Sequence, residues 1–209
     1  MFYVFPNAVP KKECRKILKY CIKNTKLEDA TVMGEGASDV NVGDTKPSTK
    51  LDHTVRKTDV GFVIDKDNMV NDYAWRFLRE ANAVQFNYKL DYFQAVQFAR
   101  YQNGGHYAWH QDVSQGSSQP ACRKLSLTFC LTDPDTYEGG NLEFFNGDKG
   151  FSDFPLPDGR VIKGEQVAKD IRAQGSAIVF DSHDWHRVTP VTKGIRYSIV
   201  CWTVGPKPV

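Results

Sequence analysis

Apolar and polar positions alternate with a helical period in the first part of the chain and with a strand period in the second. After Pro10, apolar residues recur three or four positions apart, which predicts a helix that ends near Asn24. The same period predicts a second helix over Val70–Phe86. Short strands are expected at Phe2–Phe5 and Asp59–Ile64. Two helices should therefore precede the main sheet.

From Tyr88 onward, short apolar runs separated by turn residues predict strands. The expected strands are Tyr92–Tyr101, Leu125–Leu131, Asn141–Phe145, Ala177–Phe180, His186–Val191 and Arg196–Val204. Many are apolar on both faces, which is typical of a closed barrel or of a sandwich with helices packed on one side. We predict a mainly β fold with flanking helices, in a single domain over 1–209. Residues 1–87 would form a helical support and a loop, and residues 88–209 the β core.

Two polar segments interrupt these periods. Lys26–Val55 loses its periodicity and predicts a long loop, and Asn146–Ala173 is rich in glycine, proline and charge and predicts an insertion. Loops of this length are often lids over a binding site, although plain surface loops have the same composition. Both interpretations stay open.

Composition excludes several classes of partner. The 209 residues contain 27 Lys and Arg against 25 Asp and Glu, so a net charge of +2 provides no field for nucleic acid or membrane surfaces. The N-terminus lacks the basic region of a signal peptide and no apolar run is long enough to span a membrane, so we expect a cytoplasmic protein. The five cysteines form no Cys-x-x-Cys pair and are expected to be reduced and structural, with Cys14 and Cys21 on one helix face.

Candidate chemistry begins with the segment Arg100–Asp112, which ends in His110-x-Asp112. Residues two apart on a strand point to the same face, so these two side chains could share one cation. A third ligand could come from His186. Two histidines and one carboxylate on one face of an octahedron are the ligands of non-haem Fe(II) oxygenases. Arg196, ten residues later on a neighbouring strand, could bind a carboxylate through two hydrogen bonds.

Simpler interpretations compete with each residue. Most His-x-Asp pairs lie on polar surfaces, His186 alone could satisfy a hydrogen bond in the core, and Arg196 alone could pair with any acid. His183 competes with His186 as the third ligand, but it lies in a predicted turn whereas His186 starts a predicted strand. His53 and His106 lack a partner pattern, and no role is assigned to them.

Taken together, these motifs resemble the Fe(II)- and 2-oxoglutarate-dependent dioxygenases of the prolyl 4-hydroxylase-like group, over roughly residues 92–204. The pattern is nearest to the bacterial PKHD-type hydroxylases. It rests on Arg100-Tyr101, the Gly-Gly turn, Tyr107-x-x-His110-x-Asp112, Leu125-Ser126-Leu127-Thr128, Asp133-Pro134, Tyr137-Glu138-Gly139-Gly140 and His186-Arg187-Val188-Thr189-Pro190-Val191-Thr192.

The resemblance implies a double-stranded β-helix (a cupin-like jelly roll) with the N-terminal helices packed on its major sheet. It implies that Fe(II) is bound by the catalytic ligands His110, Asp112 and His186, and the distal carboxylate of 2-oxoglutarate by Arg196. Tyr101 would lie beside the cosubstrate or form part of the barrel wall, and Thr128 is a candidate hydroxyl at the same carboxylate. O2 is the second cosubstrate, and ascorbate is a possible reductant.

The implied reaction is hydroxylation of a C–H bond, with succinate and CO2 as co-products. The expected substrate is a prolyl residue of a peptide or protein, hydroxylated at C4. Position 202, six residues after Arg196, is Trp202 rather than the second arginine typical of the nucleic-acid dealkylating branch. Alternatives are the same chemistry on a free amino acid or other small molecule, a non-catalytic metal-binding or 2-oxoglutarate-sensing jelly roll, and a β-sandwich interaction domain. The oligomeric state stays open.

Overall fold

The structure is a computed structural model that describes residues 2–33, 49–65, 68–113, 121–145, 154–155, 161–162 and 169–206. Helix α1 spans Lys11–Asn24 and helix α2 spans Met69–Ala81, which confirms both predicted helices. A π-helical turn, Asn82–Phe86, continues α2, and Asn87 ends it with a left-handed φ of 54°. Asparagine tolerates this conformation better than most residues.

All strands within these ranges pair antiparallel. The first nine are β1 (Phe2–Phe5), β2 (Glu28–Asp29), β3 (Val32–Met33), β4 (Thr49–Lys50), β5 (Arg56–Lys57), β6 (Asp59–Val63), β7 (Tyr92–Phe93), β8 (Val96–Gln102) and β9 (His106–His110). The others are β10 (Ala121–Cys130), β11 (Glu138–Gly139), β12 (Leu142–Phe144), β13 (Phe154–Pro155), β14 (Val161–Ile162), β15 (Ala177–Asp181), β16 (His186–Val188), β17 (Val191–Lys193) and β18 (Ile195–Pro206).

Two sheets face each other across an apolar cluster. The major sheet has the order β1-β15-β10-β18-β8-β6-β2, with β7 also paired to β18, and the minor sheet has the order β12-β16-β9-β5. Ala99 and Ile178 from the major sheet meet Leu142 and Val188 from the minor sheet in this cluster. Two facing antiparallel sheets with these crossovers form a jelly roll.

The major sheet has two different faces because successive side chains along a strand point to opposite sides. On β10, Leu125, Leu127 and Phe129 point to one side and join the apolar core that the buried residues of α1 and α2 complete. Ser126 and Thr128 point to the other side, towards the minor sheet. The helices therefore cover one face of the major sheet, as predicted, and leave the opposite face to line a site.

Several predicted strands are divided in the structure. Tyr92–Tyr101 was expected to be one strand but forms β7 and β8, and His186–Val191 forms β16 and β17 because Pro190 has no N–H for the ladder. The predicted loop Lys26–Val55 contains β2, β3 and β4, and the predicted insertion contains β13 and β14. Strands of two residues are too short to produce a recognisable period in the sequence.

Other predictions concern loops, cysteines and membrane spans. Residues 34–48 and most of 146–168 lie outside the described residues, so a lid role for the two polar segments stays a prediction. All five cysteines are free thiols, and Cys14 and Cys21 are buried on α1 as expected. None of the helices in the described ranges is long and apolar enough to cross a membrane.

The contact between β10 and α2 generates a stability prediction. Phe129 is fully buried, and its ring lies edge-on to Phe77 with 6.0 Å between centroids. We expect Phe129→Ala to lower the free energy of unfolding by about 3–5 kcal/mol, because it removes apolar contacts and leaves a cavity. Phe62 on β6 is 48% exposed, so Phe62→Ala is the matched control, with a loss of about 1 kcal/mol or less. Equal losses in urea denaturation would contradict the assignment of Phe129 to the core.

Candidate metal centre

Three side chains with metal-binding atoms converge between the two sheets. His110 ends β9, His186 begins β16, and the two residues are direct partners in the minor sheet. Asp112 has Oδ1 3.7 Å from His110 Nε2 and Oδ2 3.6 Å from His186 Nε2. The donor atoms lie within 4.8 Å of one another, and no other such group of three occurs in the described part of the chain. The structure thus brings the three predicted ligands together.

A β-bulge turns His110 towards the interior. Val188 pairs with Tyr107 and His186 pairs with His110, so three steps along β9 match two steps along β16. The extra residue allows Tyr107 and His110 to face inwards together, and their rings stack with 3.5 Å between centroids. Trp109, between them, is 37% exposed. Regular alternation from Tyr107 would have turned His110 to the outer face.

Backbone carbonyls orient both imidazoles. Nδ1 of His110 lies 2.8 Å from the carbonyl oxygen of Ala108, and Nδ1 of His186 lies 2.9 Å from that of Asp184. A carbonyl oxygen only accepts hydrogen bonds, so each neutral ring carries its proton on Nδ1. The lone pair is then on Nε2, the atom that faces Asp112. Metal-bound histidines are held in this way in proteins generally.

Asp112 lies outside any strand, which corrects the expectation that it alternates with His110 along one strand. Its backbone N–H donates to the carbonyl oxygen of Ser182 at 2.9 Å. The Ser126 hydroxyl donates to Asp112 Oδ2 at 2.6 Å and lies 2.8 Å from the Ser182 hydroxyl. These bonds fix the carboxylate against the imidazoles. The sequence reasoning missed both serines, although a serine within an otherwise apolar strand was a usable signal.

Burial and neighbouring charges prepare the group for a cation. Burial, together with the neighbouring His186, lowers the pKa of His110 to about 4. Burial alone would raise the pKa of Asp112, but the two histidines and Arg123 outweigh it and lower that pKa to about 2. At neutral pH the group therefore presents an unprotonated His110 and an ionised Asp112. Metal ions bind these forms.

The donor set suits a divalent transition metal such as Fe(II). Two imidazole nitrogens and one carboxylate bind Fe(II) well, and they leave positions open for other ligands. His183, the competing histidine, lies apart from this group. Its side chain is 49% exposed and is hydrogen-bonded to Asp181 at 2.9 Å. The residues present therefore fit the metal that the sequence implied.

Arg196 lies on the facing sheet. The sequence reasoning expected a strand next to that of His186, but β18 belongs to the major sheet and β16 to the minor one. Arg196 is 4% exposed, and its Nη1 donates to Ser198 Oγ at 3.2 Å. Among the described residues, no carboxylate lies within ion-pair distance of it. A buried guanidinium without a counter-charge is costly, so this position fits an anionic ligand such as a carboxylate.

The other predicted cosubstrate residues lie on the same face of the major sheet. Tyr101 is the cross-strand partner of Arg196, and its ring centroid lies 5.3 Å from the guanidinium carbon. Gly140 approaches so closely that a Cβ atom there would lie 2.9 Å from Arg196 Cδ. Thr128 is half-buried although both of its neighbours on β10 are buried. Its side chain therefore reaches an accessible space between the sheets.

The amino-acid sequence is similar to those of known oxygenases. A family model described as the 2OG-Fe(II) oxygenase superfamily matches residues 96–204, more than half of the chain. A PKHD-type hydroxylase from Pseudomonas putida is 32% identical over 107 residues, which cover 49% of this chain and 40% of the relative. The chain thus spans less than half the length of that curated relative.

Two solved structures share the fold. A prolyl-4-hydroxylase from Pseudomonas putida has a TM-score of 0.62 at 20% identity, covering 97% of this chain and 91% of that one. A prolyl hydroxylase from Trichoplax adhaerens, in complex with a hypoxia inducible factor oxygen degradation domain peptide fragment, has a TM-score of 0.63 at 15% identity, covering 97% and 82%. These likenesses confirm the predicted jelly roll. Because the family match runs from β8 to β18 and includes the whole candidate centre, the chain belongs to the 2OG-Fe(II) oxygenase superfamily.

Proposed function

We propose that the protein is an Fe(II)- and 2-oxoglutarate-dependent dioxygenase that hydroxylates a peptidyl proline, with succinate and CO2 as co-products. The observation that carries this proposal is the convergence of His110, Asp112 and His186 between the sheets. Arg196 on the facing sheet supports it, because this arginine is buried and has no carboxylate partner among the described residues. Membership of the superfamily implies Fe(II), 2-oxoglutarate and O2.

The metal ligands have separate tasks in this proposal. His110 and His186 would each bind Fe(II) through Nε2, because backbone carbonyls hold the proton on Nδ1. Asp112 would supply negative charge, and the Ser126 hydroxyl would keep its carboxylate turned towards the imidazoles. When bound, Fe(II) activates O2 with electrons from the oxidative decarboxylation of 2-oxoglutarate. The protein contributes orientation and a site with little water.

Arg196 would hold the distal carboxylate of 2-oxoglutarate through two parallel hydrogen bonds. Tyr101 would form the wall beside the cosubstrate, and its burial would keep water away from the guanidinium. Thr128 would offer its hydroxyl from β10, on the same face of the sheet. The pocket would therefore recognise a dicarboxylate by charge at one end and by the metal at the other.

A peptide or protein substrate has three lines of support. The Trichoplax adhaerens neighbour is in complex with a peptide, and the Pseudomonas putida neighbour is a prolyl-4-hydroxylase. A net charge of +2 gives no general attraction for nucleic acid. Trp202 also stands where a second arginine would favour nucleic-acid substrates. We retain ascorbate as the expected reductant in the assay.

The metal assignment predicts that His110→Ala, Asp112→Ala and His186→Ala each abolish Fe(II) binding. The fold should be largely retained, because the ligands lie apart from the core between the helices and the major sheet. Anaerobic titration calorimetry measures binding, and circular dichroism measures the fold. His183→Ala is the matched histidine control and should bind normally. Loss of binding in His183→Ala, with normal binding in His186→Ala, would show that the third ligand is wrongly assigned.

The cosubstrate assignment predicts that Arg196→Lys weakens 2-oxoglutarate binding about ten- to a hundredfold, because lysine keeps the charge but loses the planar fork. Fe(II) affinity should stay unchanged. Arg187→Lys is the control, since Arg187 forms an ion pair with Glu143 at 2.7 Å and lies outside the candidate site. Equal 2-oxoglutarate affinity in wild type and Arg196→Lys would refute the role.

The substrate assignment is tested with a library of proline-containing peptides, Fe(II), 2-oxoglutarate and ascorbate. We expect succinate release to rise with the right peptide, and fragmentation should locate one added oxygen at C4 of proline. Oxidation confined to another residue or to a free small molecule would reject proline but keep the dioxygenase. Succinate release without any peptide measures uncoupled turnover, and its absence under all conditions would indicate a non-catalytic binding module.

A further inference from the structure

The ring of Tyr107 lies between Arg56 and the candidate metal ligand His110. It lies on β5, the edge strand of the minor sheet, directly opposite Tyr107 on β9. Its guanidinium carbon is 4.5 Å from the centroid of the Tyr107 ring. Tyr107 in turn stacks on His110. Because cross-strand partners share one face of a sheet, Arg56 lies on the same inward face as Tyr107 and His110.

The guanidinium of Arg56 has no carboxylate partner among the described residues. Its guanidinium makes no hydrogen bond or ion pair with any part of the chain that the structure describes, and its Nε atom is buried. In contrast, Arg100 pairs with Asp59 at 2.9 Å and Arg187 pairs with Glu143 at 2.7 Å. A buried donor without an acceptor is costly. A carboxylate ligand would supply the counter-charge that the described residues do not give to this guanidinium.

A second guanidinium increases the positive charge at the same place. Arg123 donates to the backbone carbonyl of Asp112 at 3.2 Å. Arg123 therefore lies beside Asp112, and Arg56 approaches the same group of ligands through the Tyr107 ring. The charges of a divalent cation, Asp112, a dicarboxylate and Arg196 would cancel one another. Arg56 and Arg123 would then remain as positive charges for the substrate to balance.

We propose that Arg56 binds a carboxylate of the substrate close to the carbon that is hydroxylated. This inference rests on the proposed function and adds a chemical class to its substrate: a peptide with an acidic side chain, or a free terminal carboxylate, beside the reacting residue. The planar fork of arginine matches the two oxygens of a carboxylate.

Three peptide libraries test this proposal on the protein loaded with Mn(II) and 2-oxoglutarate without O2. Two of them place proline between two variable positions and have amidated C-termini, and the third ends in proline. One library has Asp or Glu at those positions, one has Asn or Gln, and one is neutral with a free C-terminal carboxylate directly after proline. We expect the first or the third library to bind at least about tenfold more tightly than the amide library, as loss of one charge-assisted bond predicts. The tighter of the two identifies the source of the carboxylate.

Variants test whether the preference for carboxylate-containing peptides depends on Arg56. Arg56→Gln should abolish this preference, and Arg56→Lys should retain part of it because the charge remains. Lys57→Gln is the matched control, since exposed Lys57 is the next residue on β5 and its Nζ donates to the Asn103 carbonyl at 2.6 Å. This control removes the same charge and should keep the preference. Thermal unfolding should confirm that all three variants fold.

The proposal is overturned if wild type binds all libraries equally or none of them, or if the preference survives in Arg56→Gln. An equal loss in Lys57→Gln would also overturn it, because the effect would then be one of general charge. Tighter Arg56-dependent binding of phosphoserine peptides would replace the carboxylate by a phosphate. Succinate release without peptide does not require Arg56, so it reports separately on the proposed function.

Discussion

The pairing of β9 with β16 is the interaction on which the candidate centre depends. It places His110 directly opposite His186, and the bulge in β9 turns His110 to the inner face. A register shift of one residue would turn either side chain to the outer face, away from Asp112. Phe144 and Phe180 pack against the His186 ring, with centroids 5.9 and 4.7 Å away, and restrict its rotation. The arrangement of the two imidazoles is therefore a property of the sheet.

One face of the major sheet packs against the helices, and the other face lines the candidate site. Leu125, Leu127 and Phe129 of β10 bury their side chains against the helices, while Ser126 and Thr128 of the same strand face the site. This separation follows from the two-residue period of a strand. It also means that polar residues needed by the site do not disturb the helix-facing core. A chain of this length can thus support a polar centre within one pair of sheets.

Features that depend on local sequence patterns could be predicted from the sequence. Both helices, most long strands and the set of His110, Asp112 and His186 follow from periodicity and motif spacing. The bulge in β9 was not predictable, because an extra residue has no sequence signature there. The loop position of Asp112 was also missed, because the spacing of His110 and Asp112 fits an extended strand equally well. Arg196 was expected beside β16, but sequence separation alone does not tell a neighbouring strand from a facing one. Arg56 lies on a strand of only two residues, which no period reveals.

The arginines of the described residues differ in whether a carboxylate lies beside them. Arg100 and Arg187 have carboxylate partners, whereas Arg56, Arg123 and Arg196 have none among the described residues. Holding these guanidinium groups without a counter-charge costs stability, which the apolar core must offset. Each anionic ligand that binds there relieves part of that cost, so its binding is coupled to the stability of the fold. In the proposed function the metal ligands are common to the superfamily, so the selectivity of the site would come from Arg196 for the cosubstrate and from Arg56 for the substrate.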